Sequence, residues 1–191
     1  MDDNRLKEQI NAVNTLSDED YALLMTCVQY RELKRGEVVL KEGEACRSFY
    51  LVKEGHLRTY YNKDGVAINL NFTFEGAYAS DVKSFAGREP SELIIEAGED
   101  TTVWIFEFKQ LPGQLKEQPE LARFVRRLAI RLLLASEEHS KLFKIYTPTE
   151  RYHYIEKNNP QLLQRVSLSQ IASYLGVTRE TISRIRGKNG L

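Results

Sequence analysis

Between residues 30 and 108 the apolar residues fall in short runs, cut by glycines at 36, 43, 55, 65, 76 and 87. The runs EVVL, SFYLV, LRTYY, VAINLNF, ELIIEA and TTVWIFEF are rich in β-branched and aromatic residues. Short strands at that spacing with glycine turns predict an all-β sandwich or barrel. Lys63-Asp64-Gly65 between two of the runs predicts a hairpin. Ahead of them, Ser17 stands three residues before Asp20 and opens the stretch Tyr21, Leu24, Met25, Val28, which reads as a capped helix.

Beyond residue 108 the pattern turns helical. A short piece around Leu111 and Leu115 leads to Pro119, well placed as the first residue of a long helix. From there the apolar seam is Leu121, Val125, Leu128, Leu132, Ala135, His139, Leu142 and Tyr146. Its steps alternate between 4 and 3, which marks a coiled-coil seam on a helix about 42 Å long. A second flank, Phe124, Ala129, Leu133 and Phe143, is free to pack on the β-domain while the seam meets a second copy of the chain. His139 in this seam reads as a hydrated or pair-forming polar residue rather than a metal ligand.

Thr147-Pro148-Thr149-Glu150 stops the helix and caps the next one, an interdomain hinge. That next helix runs to about Lys157, where Lys157-Asn158-Asn159-Pro160 ends it. Residues 166–188 read VSLSQIASYLGVTRETISRIRGK. Ser167 with Gln170 makes a capping box; Leu168, Ile171, Ala172 and Leu175 share one face; Gly176 breaks the helix; Thr178 caps a second one with Ile182 and Ile185 inward. Two short helices joined by a glycine turn form a helix-turn-helix. Arg179, Glu180 and Arg184 lie on the outer side, where Arg can pair with guanine and Glu can accept from the cytosine amino group. The hydroxyls of Ser167, Ser169, Thr178 and Thr181 stand at helix starts, where backbone N–H groups meet phosphates, and Lys188 is a further phosphate candidate.

Charge sharpens this reading. The 191 residues carry 27 basic and 27 acidic side chains. From Pro148 onward, however, seven bases face three acids, a surplus of +4 that leaves −4 on the first 147 residues. A basic tail on an acidic body points to an anionic partner, nucleic acid first. The longest apolar run, Leu128 to Ala135, is short and carries Arg131, so no segment spans a bilayer. The acidic start Met1-Asp2-Asp3-Asn4 is no secretory signal, and Cys27 and Cys46 are too few for a disulfide framework. Reduced thiols in a cytoplasmic protein are expected.

Nearly the whole chain resembles the Crp–Fnr family of bacterial transcription regulators. Lys34-Arg35-Gly36-Glu37 through Gly43-Glu44, and Tyr50-Leu51-Val52 through Gly55, look like the first half of its cyclic-nucleotide-binding β-roll. The long helix looks like its dimerisation helix, and TRETISRI is close to its recognition motif. The resemblance implies base-reading roles for Arg179, Glu180, Ser183 and Arg184, an inverted-repeat operator in double-stranded DNA, and RNA polymerase as a further partner. It implies an α+β fold: a β-roll (a jelly-roll-like barrel) over residues 1–111, the dimerisation helix and hinge over 112–147, and a helix-turn-helix domain over 148–191.

Two departures from the family qualify this. Where nucleotide-binding members carry Gly-Glu and then Arg-Ser, this chain has Ser80-Asp81 and Ser91-Glu92, acids where a cyclic phosphate needs a cation, with Arg88 nearby. The pocket is therefore expected to be degenerate; no cofactor is expected, and the effector is unidentified. The chain also stops at Gly187-Lys188-Asn189-Gly190-Leu191, so the usual β-hairpin wing is expected to be rudimentary. A small-molecule-sensing signalling module that uses its helix-turn-helix for protein contacts is the competing reading. A cupin-like enzyme would need clustered ligands, but His56, His139 and His153 fall in three separate units, so no enzyme is expected.

Overall fold

The computed structural model describes residues 3–108 and 118–188. Two N-terminal helices, α1 (Asp3–Asn11) and α2 (Asp18–Met25), precede eight strands: β1 (Val28–Leu33), β2 (Val38–Leu40), β3 (Ser48–Glu54), β4 (Leu57–Lys63), β5 (Val66–Thr73), β6 (Tyr78–Ala79), β7 (Leu93–Ala97) and β8 (Thr101–Glu107). A short helix, α3 (Val82–Gly87), interrupts them after β6. The long helix α4 (Pro119–Ile145) follows, then α5 (Pro148–Asn158), α6 (Pro160–Arg165), α7 (Leu168–Leu175) and α8 (Arg179–Lys188). The piece expected around Leu111 and Leu115, and with it the 111/112 domain boundary, lies outside the described residues.

The strands form two four-stranded antiparallel sheets, ordered β1-β8-β3-β6 and β2-β7-β4-β5. The run FYLV (49–52) of β3 is continuously apolar because both faces of its strand are covered. Tyr50 and Val52 join Leu57, Ile95, Val103 and Ile105 between the sheets, whereas Phe49 and Leu51 join Trp104 and Phe106 on the opposite face. There they meet Leu6, Ile10 and Leu24 of the N-terminal helices and Leu121, Phe124, Val125 and Leu128 of α4. The β4–β5 hairpin turns on Asp64 (φ 53°) and Gly65 (φ 82°), two consecutive left-handed residues as a tight primed turn requires.

Pro119 is the first residue of α4, as expected, and Tyr146 is its extended C-cap. The division of the helix into seam and flank is corrected. Leu121, Val125, Leu128 and Leu142 are buried inside their own chain, the first three on the β-roll and Leu142 in the C-terminal core. From the flank, Leu133 and Phe143 stand exposed instead, with Ile130 and Leu134 beside Leu133. A 4-3 alternation identifies one apolar face but not what covers it. Here one chain's β-roll and C-terminal helices claim most of that face.

Thr147 accepts from the Glu150 amide, and the Glu150 carboxylate accepts from the Thr147 amide at 2.8 Å. This capping box starts α5 within two residues of the end of α4. Beyond it, Tyr152, Ile155, Leu162, Ile171, Leu175, Ile182 and Ile185 enclose a separate core, which Phe72 and Phe74 of the β-roll extend.

Candidate nucleic-acid interface and β-roll cavity

The helix-turn-helix forms from local signals. The Ser167 hydroxyl accepts from the Gln170 amide and starts α7. Gly176 ends it in the left-handed region at φ 64°, where a side chain would be strained and would also crowd Phe143 of α4. Thr178 Oγ1 accepts from the Thr181 amide at 3.3 Å and starts α8. Ile182 and Ile185 then point into the core, leaving Arg179, Glu180, Ser183 and Arg184 exposed around one shallow surface depression. Glu180 is held below the usual carboxylate range by its own backbone N–H and then by the Thr178 hydroxyl, so it stays an acceptor at neutral pH. Two cations, a carboxylate and a hydroxyl on one exposed helix face can read base edges in a groove.

Ser167, Ser169 and Thr178 are exposed and Thr181 is half-buried; the Lys188 side chain lies outside the described residues. Not every base of the segment is available. Arg186 turns inward, where Nε donates to the Tyr152 hydroxyl at 3.0 Å and Nη2 to the Leu163 carbonyl at 3.3 Å. Arg151 is buried with its guanidinium over the Phe143 ring.

A cavity of about 430 Å³ opens between the β-roll and α4. Of the expected pocket residues, Ser80, Asp81 and Glu92 line it; Ser91 and Arg88 do not. Asp81 has a second, structural role. It caps α3, with one oxygen accepting from the Ser84 amide at 3.1 Å and the other from the Ser91 hydroxyl at 2.7 Å. Its carboxylate thus fixes the start of α3 and the Ser91 hydroxyl while it lines the cavity. Arg88 is the exposed, left-handed C-cap of α3. Sequence reasoning missed the cation that does line the cavity, Lys83, whose Nζ lies 3.5 Å from Glu92.

Also missed was the seating of α7 on both walls of this cavity. One wall is β5: the Asn69 amide donates to Ser173 Oγ at 3.0 Å, that hydroxyl donates to the Ala67 carbonyl, and Asn69 Nδ2 donates to the Gln170 carbonyl. The other wall is α4, where His139 stacks on Tyr174 with ring centroids 4.4 Å apart. Burial holds His139 below its ordinary range, so it is neutral at pH 7 and serves as a ring rather than a ligand.

Comparison with known proteins agrees with this architecture. Residues 30–118 match the family model described as cyclic nucleotide-binding domain. The transcriptional activator protein anr of Pseudomonas aeruginosa is 25% identical over 171 residues, which cover 81% of this chain and 68% of that protein. The nitrogen fixation regulation protein FixK of Bradyrhizobium diazoefficiens is 29% identical over 163 residues, covering 78% and 66%. Among solved structures, FixK2 from Bradyrhizobium japonicum superposes with a TM-score of 0.71 at 23% identity, over 84% of this chain and 83% of that one. A structure from Eubacterium rectale, assigned to the Crp/Fnr family of transcriptional regulators, gives 0.70 at 23% identity over 89% and 82%. Residues 30–118 thus carry a β-roll of the cyclic nucleotide-binding type, and with its long helix and helix-turn-helix the chain has the fold of the Crp/Fnr regulators, to which it is similar.

Proposed function

We propose that this protein is a homodimeric, cytoplasmic transcription regulator that reads an inverted-repeat DNA operator and whose β-roll cavity takes no cyclic nucleotide. The relatives support the first part, being named as a transcriptional activator and a nitrogen-fixation regulator rather than as enzymes. The observation that carries the DNA-reading role is the clustering of Arg179, Glu180, Ser183 and Arg184 on the exposed face of α8. Arg179 and Arg184 pair with guanine, Glu180 accepts from cytosine, and Ser183 bonds either base edge. Ser167, Ser169, Thr178, Thr181 and Lys188 take phosphates and set the register without reading sequence. No described helix is long and apolar enough to cross a membrane, which fits a regulator that works on DNA and RNA polymerase.

Dimerisation rests on the exposed stripe Ile130, Leu133 and Leu134, which stands at helical spacing on α4. The division of labour is then a sensor over residues 1–111, a dimerisation helix and hinge over 112–147, and a DNA-reading unit over 148–191. Selection of bound duplexes from a random pool tests this reading. The expected outcome is an inverted repeat with half-site centres about 34 Å, one helical turn, apart. A pool that yields no enriched sequence contradicts it.

A further inference from the structure

Arg165, the last residue of α6 and two residues ahead of the α7 cap, does not face solvent as a basic residue of a DNA-reading unit would. Its guanidinium reaches across to the β-roll. Nη1 donates to Glu75 Oε2 at 2.9 Å and Nη2 to Glu75 Oε1 at 2.8 Å, a fork-to-fork pair, and Nη2 also bonds Glu99. The same guanidinium lies over the Phe74 ring, 5.1 Å from its centroid. The carboxylates are themselves fixed. Glu75 accepts from the Gly55 amide at 2.9 Å, and Glu99 lies 3.2 Å from Nδ1 of the buried His56. Side-chain exposure is only 26% for Arg165 and Glu75 and 34% for Glu99, so the cluster is screened less than a surface pair.

Two consequences bear on DNA. With Arg165 neutralised by two carboxylates, Arg186 bound to Tyr152 and Arg151 buried, three of the seven bases of the C-terminal unit are spent inside the molecule. The same contacts hold that unit against a body that carries the acidic surplus of the chain. Both effects lower the attraction to a polyanion.

We propose that the Arg165–Glu75–Glu99 cluster is an autoinhibitory latch: closed, it holds the DNA-reading unit on the acidic β-roll, and DNA phosphates compete with the two carboxylates for Arg165. This rests on the DNA-reading role given above. The latch opens when Arg165 exchanges Glu75 and Glu99 for phosphate oxygens, a swap of one bidentate anion for another. Opening also frees the bonds from Asn69 to α7, because both contacts join the same two bodies.

The test compares the wild-type chain with E75Q/E99Q, measuring anisotropy on the selected duplex and on a random one across a salt series. Glutamine keeps an acceptor for the Gly55 amide, so the β-roll stays folded. The expected result is binding about three- to tenfold tighter on both duplexes, with a salt slope steeper by about 0.9, one added phosphate contact. Adding R165Q to that background removes the gain. Without DNA, the Asn69 amide exchanges its hydrogen faster in E75Q/E99Q than in the wild type. Equal exchange in the two proteins overturns the latch. So does wild-type binding that E75Q/E99Q leaves unchanged or weakens, which would make the cluster a brace. If neither protein binds any duplex, the DNA-reading role falls together with the inhibition.

Discussion

Replacing Ile130 and Leu134 by aspartate abolishes the dimer if the exposed stripe of α4 is the contact between copies. Ile130 is 47% exposed and Leu133 and Leu134 are each 55% exposed in the single chain. Full burial of such a side chain is worth about 1.5–3 kcal/mol, so roughly 1 kcal/mol each remains to be gained. Three residues on each of two helices then supply about 6 kcal/mol, and I130D/L134D removes about 4 of these, roughly a thousandfold in Kd. Four carboxylates brought into one seam add to the loss. Leu133 is left in place because it also borders the cavity. Leu128, 1% exposed beneath the β-roll, is the wrong target, since an acid there would break the fold rather than the dimer. Light scattering across 1–100 μM reads the result. About 6 kcal/mol corresponds to a Kd of tens of micromolar, so the wild type should rise toward twice the 22.1 kDa of one chain at the top of that range while I130D/L134D stays at 22.1 kDa, with identical circular dichroism. A wild-type monomer throughout, or a double variant that dimerises as well as the wild type, refutes the reasoning.

Titration calorimetry with cyclic AMP and cyclic GMP should show no binding tighter than about 1 mM, roughly −4 kcal/mol. The reason is that the cavity lining sets one side-chain cation, Lys83, against the carboxylates of Asp81, Glu89 and Glu92, so a cyclic phosphate meets more negative than positive charge; micromolar affinity would contradict this. Burial lowers both His56 and His139, although Glu99 partly offsets it at His56. The unfolded chain therefore takes up protons first as pH falls below about 6.5, and stability drops from there until the folded values are passed. Tm should be lower at pH 5.5 than at pH 7.5, and H139F, which keeps the stack on Tyr174, should show a smaller drop; an equal drop refutes the role given to His139. At Gly98 an added Cβ would stand 2.0 Å from Nε2 of His56. G98A should therefore cost about 1–3 kcal/mol in urea unfolding, and an unchanged midpoint would show that the ring is free to move.

The strands that could be read in the sequence are those with strong composition. The central stretches FYLV and VWIF lie between two covered faces, so they are unbroken apolar runs and stand out. β1 escaped notice because four central residues of VQYREL are exposed, and only its pairing with β8 makes it a strand. In α1, Leu6 and Ile10 are the deeply buried residues among those described, too few for a periodic signal in DNRLKEQIN. The helix-turn-helix was legible down to its caps because capping is local: a hydroxyl and an amide three residues apart. The Arg165 cluster was not, since it joins residues 90 and 66 positions apart whose neighbours carry no shared pattern. Asp81 shows the limit of reading an acid as a charge. Its neighbours in space, the Ser84 amide and the Ser91 hydroxyl, make it a cap.

Base reading by α8 is the central claim, and Arg184→Ala tests it most directly when affinities for the selected operator and for random duplex are measured side by side at one salt concentration. The Arg184 guanidinium is exposed on the reading face and no described contact ties it to the protein interior. The account predicts a loss of about 1–3 kcal/mol on the operator, relaxed preference at one base pair, and a much smaller loss on random DNA. An equal loss on both duplexes would mean that Arg184 touches only phosphate, and would contradict the base-reading role of this helix face.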